Sequence, residues 1–254
     1  MTHIVLLPGW GYGKDVWQPL TNKLKNDAML QFIDWTHMQS EQQITKRVER
    51  VLQRAEKKQQ RVTIIGWSLG TLVALHMATR FSKTVNRLIL FSATSCFTKK
   101  NDYPHGWDRR VLKRMQRRLQ TDAHSLFHQF HEQLFSNHEK KIPLLKDQSS
   151  QVKDTVTSYK SGLEFLKQAD YRKKLQQISQ PTLLIHGSDD NICPLGAATY
   201  IAENMPTNAT LKVINHAGHL PFYTETNTCY EWVKAFIHDQ PTHDPIDALE
   251  GDCQ

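Results

Sequence analysis

The sequence predicts an α/β fold: a mostly parallel sheet flanked by helices, with a helical segment inserted between two of its strands. Three observations predict it. Short β-branched or apolar runs alternate along the chain with stretches of helical length. Hydrophobic residues make up 39% of the chain, with Pro and Gly spread along it, a composition that can build a packed core. A long stretch from about Thr94 to Ser179 has no strand character, yet it is too long for a plain loop.

Taken in order, the strand-like runs are His3 to Leu7, Leu30 to Trp35, Val62 to Trp67, Leu88 to Phe91, Thr182 to His186 and Leu211 to Ile214. Helix-length spacers between most of them make βαβ units and a parallel sheet. Inside the insertion, Leu112, Met115 and Leu119 recur at helical spacing. After the Thr121-Asp122 break, Leu126, Phe127, Phe130 and Leu134 form a second apolar stripe, and Val152, Val156, Tyr159, Leu163 and Leu166 form a third. The expected division is therefore a core of residues 1–93 and 180–240, a helical cap of residues 94–179, and a polar, acidic, flexible tail of residues 241–254.

A chain of 254 residues fits a single large domain. No apolar run approaches the roughly 20 residues of a membrane-spanning helix. Met1-Thr2-His3 leads into Ile4-Val5-Leu6-Leu7 without a basic leader, so a cytoplasmic protein is expected. Cys96, Cys193, Cys229 and Cys253 are scattered without a C-x-x-C pair, so neither structural zinc nor disulfides are expected. The formal charge of +7 favours acidic partners.

Gly66-Trp67-Ser68-Leu69-Gly70 matches G-x-S-x-G, and its setting gives the match weight: Arg61 to Ile65 is strand-like and Thr71 to Arg80 is helix-prone. A strand, a sharp turn and a helix form a nucleophile elbow with Ser68 at its tip. Close approach of the backbones around such a turn leaves no room for a Cβ on either flanking glycine. The Leu69 N–H, at the helix N-terminus, would donate to a developing oxyanion. Serine is a weak nucleophile without a base and a group that orients the base, and in this arrangement they follow in the order Ser, Asp, His. Thr182 to Asp190 is a strand running into a turn that carries Asp189 and Asp190, either of which could orient the base. His219, in His216-Ala217-Gly218-His219 after the last strand, is the candidate base and His216 the bystander. The two histidines lack a third ligand, so no metal and no cofactor are expected. Pro8-Gly9-Trp10-Gly11 follows the first strand, where the Trp10 N–H would supply a second oxyanion donor and its indole a wall of the acyl pocket.

On these residues the chain resembles the α/β-hydrolase superfamily and, within it, the pimeloyl-[acyl-carrier protein] methyl ester esterases of biotin synthesis. The likeness spans nearly the whole chain. It is carried by Gly9-Trp10-Gly11 with Val16-Trp17, the Ser68 elbow, Cys96-Phe97, Gly162-Leu163-Glu164 with Leu166-Lys167, and Asp170 with Arg172 and Leu175. The resemblance implies Asp190, four residues before Pro194, as the orienting carboxylate and His219 as the base. It implies Trp10 and Leu69 at the oxyanion positions and an acyl-binding segment from Phe130 to Leu134. Three departures stand beside it. Pro8 replaces the usual histidine, the usual N-terminal β-hairpin is not expected, and the family's carrier-binding arginines fall near Ser125 and Gln129.

Other basic residues could take that role. Arg110, Lys113, Arg114 and Arg117 share one face of the first cap helix, opposite Leu112, Met115 and Leu119, with Lys99, Lys100, Arg109 and Arg118 nearby. Only Asp102 and Asp108 oppose them, so an anionic partner such as acyl carrier protein would relieve the repulsion. The resemblance thus implies a serine carboxylesterase that cleaves the methyl ester of a pimeloyl chain on acyl carrier protein through an acyl-enzyme; a monomer is expected. Alternatives are a broad-specificity short-chain esterase or thioesterase, and a menaquinone-pathway lyase of the same fold. A pure binding module has no need of a triad. Nucleic acid is not an expected partner, because no aromatics interleave the basic stretch.

Overall fold

The computed structural model describes residues 2–141, 154–206 and 209–239; Val152, Cys253 and the expected tail from Pro241 to Gln254 lie outside them. Six strands form one sheet: β1 (Thr2–Leu7), β2 (Ala28–Phe32), β3 (Val62–Trp67), β4 (Val85–Phe91), β5 (Thr182–Gly187) and β6 (Ala209–Ile214), in the order β2-β1-β3-β4-β5-β6. Every pairing in it is parallel. Residues of β3 and β5 are buried along their whole length, which is why they read as unbroken apolar runs. The edge strands β2 and β6 carry exposed positions.

The strand boundaries differ from expectation most at β2 and β4. The run Leu30 to Trp35 leaves the ladder after Phe32. Ile33 still donates its N–H to the Leu6 carbonyl at 3.0 Å, and the Trp35 indole then donates to the Pro8 carbonyl at 2.8 Å. Ile33 and Trp35 are apolar because they pack on the core, not because they extend the strand. Strand β4 begins at Val85 and so takes in Asn86 and Arg87, whose polarity hid it. The Arg87 guanidinium pairs through one terminal nitrogen with Asp239 at 2.5 Å.

The described helices are α1 (Gln18–Leu24), α2 (Gln42–Lys57), α3 (Leu69–Arg80), α4 (Arg109–Thr121), α5 (Ala123–Gln133), α6 (Val156–Gln168), α7 (Leu195–Asn204), α8 (Pro221–Thr224) and α9 (Thr226–Ile237). Helix α2 buries Ile44, Val48, Leu52 and Ala55, a stripe at helical spacing. Trp17 stacks on Phe222 with ring centroids 4.4 Å apart, and Phe91 packs edge-on against Phe222 at 5.1 Å. Burial of each such side chain is worth about 1.5–3 kcal/mol. No helix among the described residues is long and apolar enough to cross a membrane.

Helices α4, α5 and α6 lie between β4 and β5. Asp108 caps α4 by accepting the Arg110 N–H at 2.7 Å, and Asp122 caps α5 by accepting the Ser125 N–H at 3.1 Å. Each such cap contributes about 1 kcal/mol, and the second explains the break at Thr121-Asp122. The first two stripes are buried as expected through Leu112, Met115 and Leu119, then Leu126, Phe127 and Phe130. In α6 the buried face runs through Leu163, Phe165 and Leu166, whereas Val156, at the first helical position, is exposed. A Cβ on Gly162 would sit 2.5 Å from the Trp10 ring, so glycine there lets α6 press against the loop after β1.

Candidate active site

Parallel strands bring the loops that follow them to one edge of the sheet, where ligands of open α/β sheets gather. Trp10 follows β1, Ser68 follows β3, Asp190 follows β5 and His219 follows β6. Ser68 joins β3 directly to α3 with φ 54° and ψ −114°, a conformation that costs an ordinary residue about 1–3 kcal/mol. Its surroundings hold it there: the Ser68 N–H donates to Phe91 at 3.2 Å, and the Thr71 hydroxyl donates to the Ser68 carbonyl at 2.6 Å. A Cβ on Gly66 would lie 2.8 Å from the Gly70 carbonyl oxygen, and one on Gly70 would lie 2.1 Å from that of Leu7. Both glycines are required by close backbone approach.

His219 and Asp190 meet behind this elbow. His219 Nδ1 lies 2.7 Å from Asp190 Oδ2, and both side chains are fully buried. Asp190 Oδ1 accepts the N–H groups of Ile192 and Cys193, both at 2.9 Å. Burial works against the charged carboxyl, but His219 and His186 together hold it below the usual carboxylate range. The His219 carbonyl accepts the Trp67 indole N–H at 2.8 Å and the Ser92 hydroxyl at 2.9 Å. Its Nε2 is buried and has no hydrogen-bond partner among the described residues. The Ser68 side chain instead reaches the buried Cys193 thiol, which burial and Asp190 push well up. Asp189 is exposed and bonds the neighbouring Ser188 hydroxyl at 2.8 Å. His216 is exposed as well, at φ 62°. Adjacent residues of one type thus occupy opposite environments.

The chain matches the family model described as alpha/beta hydrolase fold over residues 2–226. The chain belongs to the α/β-hydrolase family. Among curated proteins, the hydrolase is 30% identical to the pimeloyl-[acyl-carrier protein] methyl ester esterase of Nitrosomonas europaea, over 86% of this chain and 89% of that one. It is also 30% identical to the protein of the same name from Pectobacterium atrosepticum, over 92% and 94% of the two chains. An esterase from Exiguobacterium antarcticum shares the fold with a TM-score of 0.84 at 23% identity, over 94% of this chain and 92% of that one.

Around the elbow of this α/β-hydrolase lie two cavities, and Ser68, itself buried, lines neither. The smaller, about 20 Å³, is bounded by Trp10, Leu69, Tyr159 and Gly162. The Trp10 indole donates to the Tyr159 carbonyl at 2.9 Å and stacks on Phe127 at 5.2 Å. A larger cavity of 510 Å³ opens between α4 and α5, beside Asn191 of the Asp190 loop. Phe130, Met115, Leu126 and Trp107 give it apolar walls, and Arg114, Arg118 and Lys140 add positive charge. Leu134 does not line it; this residue is fully buried, and its carbonyl accepts the His219 N–H at 2.7 Å.

Arg110, Lys113, Arg114 and Arg117 are all exposed. Three of them face two hollows: Arg114 lines the large cavity, and Lys113 and Arg117 line a separate cleft shared with Lys160, while Arg110 lines neither. Of the two opposing acids, Asp108 is spent as the α4 cap and Asp102 pairs with Arg172 at 2.9 Å. Two residues of the α/β-hydrolase site carry no sequence signal of their role. His186 sits in β5 with Nε2 2.7 Å from the Cys193 carbonyl and 3.3 Å from Asp190 Oδ2. Its one trace is a polar residue inside an otherwise apolar buried strand. Glu139, in a polar stretch, is buried against the His219 loop.

Proposed function

We propose that the protein is a serine carboxylesterase that removes the methyl group from a pimeloyl methyl ester carried on acyl carrier protein. The observation that carries the chemistry is the buried His219–Asp190 pair, 2.7 Å apart, beside the Ser68 elbow. The choice of substrate rests on the names of the two relatives at 30% identity. It is supported by the apolar cavity with its basic residues and by the run of basic residues on α4.

His219 Nε2 takes the proton of Ser68 as its oxygen attacks the ester carbonyl, and the ionised Asp190 stabilises the imidazolium that forms. The N–H groups of Trp10 and Leu69 donate hydrogen bonds to the carbonyl oxygen as negative charge develops on it. Collapse expels methoxide, which takes the proton from His219 and leaves as methanol. Water then attacks the acyl-enzyme by the same route and frees Ser68. The Ser68 hydroxyl comes within hydrogen-bond reach of His219 Nε2 in the loaded site, where catalytic hydrogen bonds often tighten. Helices α4 to α6 act as the cap over this chemistry, with Phe130 against the acyl chain and the basic face of α4 against the carrier.

Mass spectrometry of products from methyl-pimeloyl carrier protein tests the substrate. Methanol release with the thioester intact is the expected result. Cleavage of the thioester, or of free small esters only, would overturn it in favour of a broad esterase or thioesterase.

A further inference from the structure

We propose that Glu139, which comes from the segment after α5, is a positioning residue for His219. The proposal rests on His219 being the base, as above. Core and cap hold opposite sides of the His219 loop. From the core, Asp190 fixes the ring, and Trp67 and Ser92 hold the carbonyl. From the other side, among the described residues, comes the 134–139 segment. The Leu134 carbonyl accepts the His219 N–H at 2.7 Å. Glu139 Oε2 accepts the Gly218 N–H at 2.9 Å and the Ser136 N–H at 2.7 Å. The Ser136 hydroxyl donates to the His216 carbonyl at 2.6 Å and accepts the Glu139 N–H at 3.1 Å.

The fit is close enough to dictate Gly218. A Cβ there would lie 2.5 Å from the Leu134 carbonyl oxygen and 2.7 Å from both Glu139 Oε2 and the Ser136 nitrogen. Glu139 itself is 4% exposed, and its Oε1 is buried with no partner among the described residues. A carboxylate is costly to bury in this way. A neutral side chain or a water could close an ordinary turn. What the carboxylate adds is a strong acceptor able to hold two N–H groups on one oxygen, one of them next to the base. Because the base must sit within hydrogen-bond reach of Ser68, a shift of about 1 Å in this loop is enough to cost roughly 10²-fold in turnover. The same segment continues from α5, whose Phe130 and Gln129 line the 510 Å³ cavity, so the fastening ties the cavity wall to the base.

The test compares Glu139→Gln, Glu139→Asp and Glu139→Ala with the parent on a small chromogenic ester, with thermal unfolding followed alongside and Ser68→Ala as the reference. Gln keeps a carbonyl acceptor but loses the charge, so its kcat should fall between that of the parent and those of the Asp and Ala variants. Asp is too short to reach Gly218, and Ala has no acceptor. Both should lower kcat by about 10- to 100-fold with KM within about two-fold. A folded Asp variant with parental kcat, or a loss confined to KM, would overturn the role. The Asp variant decides if the Ala variant does not fold. Turnover surviving in Ser68→Ala would instead overturn the hydrolase reading itself, so the two failures are distinguishable.

Discussion

Asp189 and Asp190 stand side by side, yet only Asp190 reaches His219, and it does so from full burial. The difference predicts unequal kinetics. Asp190→Asn should lower kcat by up to roughly 10⁴-fold, the scale seen when a triad carboxylate becomes an amide and the histidine tautomer is lost. Asp189→Asn should change ester turnover by less than about two-fold, as exposed substitutions away from the chemistry usually do little. A reversed order in steady-state kinetics would show that the wrong aspartate orients the base. Ser68, Gly66 and Gly70 were legible because elbow geometry demands those residue types at fixed spacing. Asp190 was not separable from its neighbour by residue type, and only the resemblance singled it out. His186 left only its polarity within β5 as a mark and Glu139 left none, because their burial is made by distant segments folding over them.

Helix α3 carries a pH-sensitive contact away from the site. His76 stacks on Tyr171 at 5.1 Å, with the Lys174 ammonium 3.5 Å away. Burial, then the charges of Lys174 and Arg80, lower its pKa to about 4. An unfolded chain protonates this histidine near the ordinary value of about 6.5. The stability it supports is therefore complete above that pH and is lost as pH falls from about 6.5 toward 4. Tm measured across that window should fall more steeply for the parent than for His76→Gln; parallel curves would contradict the shift. Helix α4 makes a different prediction, because its exposed basic face has no acidic ion-pair partner among the described residues. Reversing Arg110, Lys113, Arg114 and Arg117 to Glu should raise KM for carrier-bound substrate strongly and leave small esters nearly unchanged. Salt should weaken only the former, since exposed charges are screened over roughly 8 Å at physiological ionic strength. Equal effects on both substrates would make this face an ordinary solvated surface. The helix itself was readable from its stripe, whereas the division of its basic residues between two hollows depends on how α4 packs against α5 and α6.

At the scale of the whole molecule, the alternation of apolar runs with helical lengths was enough to read a parallel α/β sheet and a helical insertion. Boundaries failed where polarity and pairing disagree. Ile33 and Trp35 are apolar without being strand, and Asn86 and Arg87 are polar within one. The sheet order, with β1 between β2 and β3, places the loops bearing Trp10, Ser68, Asp190 and His219 on one edge, and pattern alone could not supply that convergence. The central claim is that Ser68 is a nucleophile activated by His219 and Asp190. It is tested most directly by reaction with an aryl dialkyl phosphate, followed by peptide mass mapping. One phosphoryl adduct should form, on Ser68, with complete loss of esterase activity. Labelling should be slow in His219→Ala and Asp190→Asn, and parental in Asp189→Asn. An adduct on any other residue, or full activity in a Ser68→Ala variant, would contradict the claim.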